Sequence, residues 1–113
     1  MSDLKKSEIK IEVLTNENNV PQKLTWSAED GGIANADAKA MFLALWDPNE
    51  QNAMRIDLWN QEMSVEEMRQ FFHQTLLTMA DSFERATGEH KITADLRDYC
   101  YHFAEKMGLF PPN

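Results

Sequence analysis

Three histidines, one cysteine and a surplus of carboxylates are the side chains of this chain that could do chemistry. His73 and His102 fall inside two helical patterns and His90 lies between them. No HExxH is present, and no two histidines sit one turn apart on a single helix, so the spacing of a helical zinc site is missing. A site would have to assemble across helices, for instance from His73 with His102 or Asp98. Cys100 shares an apolar helical stripe with Leu96 and Phe103, and a thiol buried among such neighbours is inert. No serine has the flanking glycines of a nucleophile elbow. Glu29, Asp30 and Asp37 flank Gly31-Gly32 without the spacing of a calcium loop. The glycine pair also lacks the lysine and serine of a phosphate cradle. No catalytic residue, metal or cofactor is therefore assigned, and the chain is not read as an enzyme.

Composition narrows the partners. The chain has 113 residues, 42% hydrophobic and 27% charged, which suits one globular domain with its own core. Its formal net charge is −8, which opposes nucleic acid and anionic membrane surfaces. A lone cysteine forms no internal disulfide. No apolar run follows Lys5-Lys6, and no stretch reaches the length of a membrane span, so a cytoplasmic protein without signal peptide is expected.

The elements follow from periodicity. Glu8 to Val13 alternates as a strand, Asn16 to Asn19 reads as a turn, and Gln22 to Ala28 alternates again. Gly31-Gly32 opens a loop extending to Asp37. Ala38 to Trp46 has helix-favouring residues and Asn35 as a cap, but Met54 to Leu58 alternates just beyond a polar connection, so both runs are read as strands of a second hairpin. Ser64-Val65-Glu66-Glu67 is a capping box opening a helix to about Ala86, with Gly88 as its stop. Met68, Phe72, Leu76, Met79 and Phe83 mark its apolar stripe, widened by Val65 and Phe71. Glu66, Glu67, Asp81 and Glu84 read as its solvated face. Thr93 is the expected cap of a second helix reaching about Met107. The expected fold is one α+β domain over residues 1–113, with flexible ends at 1–6 and 109–113. In it a four-stranded antiparallel sheet of two successive hairpins is followed by two α-helices packed on one sheet face. That face carries Ile9, Ile11, Leu24 and Trp26. Most of the seven methionines sit on stripes assigned to the core, and they are read as gap-fillers there rather than as a soft groove for partner helices.

One cluster stands outside that core. If Trp46 lies opposite Ala53, then Met41, Leu43, Leu45, Met54, Ile56 and Leu58 share one face of the second hairpin. Phe42, Trp46 and Trp59 fall on the other, beside Arg55 and Asp57. Aromatic residues next to a charged pair on an uncovered face form the candidate protein-interaction surface.

Several segments resemble the GldC family: Ser7 to Val13, Leu24 to Gly32, Arg55 to Trp59, and the long run from Glu67 to Thr87. The similarity spans nearly the whole chain in matching order, leaving out the tail from Gly108 to Pro112. The resemblance implies an accessory role in bacterial gliding motility, a cytoplasmic location, and genes associated with that of the membrane-attached GldB. It supplies no catalytic residues. The expected function is therefore a non-enzymatic adaptor working through protein–protein contacts, with GldB or a second copy of the chain as partners. The competing reading is a small-ligand-binding domain or unrecognised enzyme with a site between sheet and helices.

Overall fold

The structure, a computed structural model, describes residues 3–109. It divides after Met63 into two compact units.

The first unit is all β. Strand β1 (Ile9–Thr15) pairs antiparallel with β2 (Pro21–Ala28), which pairs antiparallel with β3 (Ile33–Ala38). The β1–β2 turn forms where four polar residues can bond locally. The Asn16 side-chain oxygen accepts from the amides of Asn18 at 2.9 Å and Val20 at 3.0 Å, and Asn19 takes positive φ. Alternation places Ile11 opposite Trp26 and Val13 opposite Leu24, with Ala36 and Ala38 continuing those rows in β3. Leu24, in the central strand of this meander, is 2% exposed. Ile9, at one end of the same face, is exposed.

The residues expected to form a loop up to Asp37 are instead strand β3. A single 3-10 turn at Glu29–Gly31 ends on Gly32, whose φ of 72° reverses the chain. The strand then carries a bulge. Ala36 faces Trp26 but Ile33 faces Ala28, so three steps on β3 match two on β2. Asn35 takes a φ of 51° at this point, and its amide donates to the Ser27 hydroxyl at 2.9 Å.

Strands β4 (Ala40–Asp47) and β5 (Asn52–Trp59) form a separate two-stranded sheet. The expected single four-stranded sheet is thus corrected to a three-stranded and a two-stranded one. β3, unforeseen as a strand, takes the free edge of β2, and β4 and β5 pair only with each other. Lys39 alone separates β3 from β4, and its carbonyl accepts the Asn60 amide at 2.8 Å, closing the base of the hairpin. Asp47 builds the hairpin turn. Its carboxylate accepts from the amides of Asn49 at 2.9 Å and Glu50 at 3.2 Å.

The second unit is a helical hairpin of α1 (Val65–Thr87) and α2 (His90–Lys106). The capping box is complete: the Glu67 amide donates to Ser64 Oγ at 3.0 Å, and the Ser64 amide donates to Glu67 Oε1 at 3.1 Å. Gly88 ends α1 at a φ of 70°. Thr93 is not the cap of α2, which starts three residues earlier because the chain re-enters helix directly after Gly88. Thr93 is buried in the first turn, its hydroxyl donating to the Glu89 carbonyl at 2.7 Å.

Among the described residues of this unit, the fully buried ones are Ala80, Thr93, Cys100 and Ala104. On α2 these recur at helical spacing with Arg97, which reaches across to α1, so this stripe is the seam between the helices. The seam meets α1 beside its apolar stripe rather than along it, and Val65, Phe72 and Met79 are exposed. The described methionines are likewise outside the fully buried core. None of the described ones is buried, and Met54 and Met79 are exposed. Small side chains rather than flexible thioethers fill the seam. Of the ends expected to be flexible, residues 3–6 are exposed and carry no regular structure, while residues 1–2 and 110–113 lie outside the described residues.

Candidate protein-interaction surface

The β4–β5 hairpin is long enough to display two faces. Its register sets Trp46 opposite Ala53, Ala44 opposite Arg55, Phe42 opposite Asp57 and Ala40 opposite Trp59. Directly opposed residues share a face. Phe42, Trp46, Arg55, Asp57 and Trp59 therefore stand on one side of the ribbon, with alanines at 40, 44 and 53 between them. Trp46, Arg55 and Trp59 each face an alanine across the ladder, and Phe42 faces Asp57. Trp46 is 67% and Trp59 53% exposed, Arg55 and Asp57 are exposed, and Phe42 is half-buried.

The other face carries Met41 opposite Leu58, Leu43 opposite Ile56 and Leu45 opposite Met54. Burial falls off along it toward the turn. Met41, Leu43 and Leu58 are half-buried, whereas Leu45, Met54 and Ile56 are exposed. The tip of the hairpin thus presents apolar side chains on both faces. Exposed apolar surface of this kind is what contact sites are made of.

The chemical candidates do not converge. His73 stacks on Phe103, with ring centroids 6.3 Å apart and planes 5° off parallel. His102 tilts against Tyr99 on its own helix, and it and Asp98 are exposed. His102 lies midway between Cys100 and Ala104, which face the seam, so a helix of 3.6 residues per turn turns it away from α1. Among the described residues no group of three His, Cys, Asp or Glu side chains is placed to hold a metal ion. Burial pushes the Cys100 thiol above its ordinary pKa. An open cleft of about 480 Å³ in the β unit is bordered by Lys23, Asp37, Lys39, Asn60 and Glu62. Its acids and bases balance, and it contains no nucleophile with an adjacent base.

One polar cluster was not anticipated. Asp81 and Glu84, read from sequence as a solvated face, hold Arg97 of α2. Arg97 Nη2 lies 2.8 Å from Asp81 Oδ1 and 3.0 Å from Glu84 Oε1, and His90 Nδ1 lies 3.0 Å from Glu84 Oε2. The usable signal was a pair of acids one turn apart on α1, with an arginine at matching height on the returning helix. The cluster ties the hairpin together.

The chain is α+β, with antiparallel sheets, a helical hairpin and an exposed aromatic ribbon. The profile of the gliding motility-associated GldC-like proteins matches residues 21–109, most of the chain, and the chain belongs to that family. The match begins at Pro21, after β1, and runs through Leu109. No curated protein and no solved structure matches the chain. Among the described residues no helix is long and apolar enough to cross a membrane.

Proposed function

We propose that this chain is a non-enzymatic accessory protein of the gliding motility machinery that acts in the cytoplasm through protein–protein contacts. Its contact surface is the hairpin face bearing Phe42, Trp46, Arg55, Asp57 and Trp59. The observation that carries the reading is the exposure of Trp46 and Trp59 on that one face. Tryptophan and arginine dominate the binding energy of protein interfaces, and two large rings left in water are a cost that a partner removes. Membership of a motility-associated family supplies the process. The membrane-attached GldB is the first partner to test. The test is capture from native extract with tagged wild type and with the Trp46→Ser, Trp59→Ser double variant. A partner held by the wild type and lost by a variant with unchanged circular dichroism supports the reading. Equal capture by both forms, or an unfolded variant, removes this face as the site.

A further inference from the structure

Among the described residues no strand pairs with the outer edge of β5, whose sheet consists of β4 and β5. An open edge presents backbone N–H and C=O groups to any strand that fits. A two-stranded ribbon is marginal on its own and gains from a further strand or a helix packed on it.

The order of residues along β5 specifies the strand that fits. It reads Met54-Arg55-Ile56-Asp57-Leu58. Reversed about Ile56, the alternation of apolar and charged positions is unchanged and each charge meets its opposite. Arg55 and Asp57 are both exposed, and among the described residues neither forms an ion pair within its own chain.

We infer that β5 pairs antiparallel with β5 of a second copy of this chain, on a two-fold axis through Ile56. In that register Ile56 faces Ile56 of the second copy, Arg55 faces Asp57, and Met54 faces Leu58. Opposite charges directly across a ladder stabilise it and like charges destabilise it. Moving the axis to residue 55 sets arginine against arginine, and moving it to 57 sets aspartate against aspartate. A chain of net charge −8 repels its own copies in general, but this strand segment is neutral and self-complementary. The contact is isologous and closes at two copies. It yields a four-stranded sheet in which Trp46, Ala53 and Trp59 of the second copy form one row, joining the two aromatic faces. The inference goes beyond the adaptor function and does not depend on it.

Sedimentation across a wide concentration range tests it. The wild type is expected to dimerise. Arg55→Asp and Asp57→Arg, each confirmed as folded by circular dichroism, should each weaken the dimer about tenfold or more. The double reversal should return it to within about threefold of wild type. Ile56→Cys should form an interchain disulfide on mild oxidation while Glu50→Cys does not, and buried Cys100 takes no part. A wild type that stays monomeric, reversals without effect, or a dimer that Ile56→Cys does not cross-link would each overturn the inference.

Discussion

Arg97 grips Glu84 with both ends of its guanidinium. Nη2 meets Oε1 at 3.0 Å, and Nη1 donates to Oε2 at 3.4 Å. This fork joins α1 to α2 across the seam. The Arg97 hydrogen bonds, followed by that of His90, hold the Glu84 carboxyl below its ordinary pKa of 4.5. A carboxylate whose pKa is depressed by folding contributes stability that is complete above its unfolded pKa and is lost as pH falls through the folded value. Thermal melts of the wild type should therefore lose stability as pH drops below about 4.5, and Glu84→Gln should flatten that part of the profile. The side chains are partly exposed, so added salt should shrink the difference. Identical pH profiles for the two proteins would show that the fork contributes nothing.

Cys100 is fully buried in the helix seam. Only a thiolate reacts with disulfide reagents, and burial raises the thiol pKa. In native protein at neutral pH a thiol reagent should titrate almost none of it, while in denaturant it should titrate one equivalent per chain. Rapid reaction in the native state would mean that the seam opens readily.

Ser64 supplies one of the two side-chain bonds of the capping box. Ser64→Ala should cost about 1 kcal/mol of helix stability, and Ser64→Asp should restore most of it. Urea titration followed at a helical wavelength reads the difference.

Two adjacent glycines should respond differently to the same change. A Cβ at Gly31 or at Gly32 meets nothing within 4 Å, so space does not separate them. Gly32 has a φ of 72°, where an L side chain is strained, and Gly31 does not. Gly32→Ala should destabilise by about 1–2 kcal/mol, whereas Gly31→Ala should be neutral or slightly stabilising. Tryptophan fluorescence during denaturation reports on the sheet unit, where Trp26, Trp46 and Trp59 reside.

The elements most legible in the sequence are those whose signals are local and redundant. The Ser64–Glu67 box, Gly88 and the alternation of Ile9, Ile11 and Val13 each name an element by a mechanism that needs no tertiary context. The β4–β5 register was legible too, since pairing Trp46 with Ala53 sorts the remaining side chains by type. Strand β3 was not, for a definite reason. Its bulge at Asn35 breaks the period of two, bringing Ile33, Ala36 and Ala38 to one face at uneven spacing, and its alanines carry little strand preference. The division into two sheets was hidden for the same reason. The Arg97 cluster depends on two helices meeting beside, rather than along, the α1 apolar stripe, and periodicity on one helix does not fix that offset.

The seam of Ala80, Thr93, Cys100 and Ala104 also has an evolutionary meaning. Close-packed small side chains leave no volume into which a larger one can grow, and overpacking such a seam pushes the helices apart. Substitution there should favour exchanges among small residues, with the exposed positions of the same helices under less packing constraint. Across diverging lineages the seam would preserve size more faithfully than identity, and its footprint would be a column of alanine, serine, cysteine, glycine and threonine in place of one invariant letter.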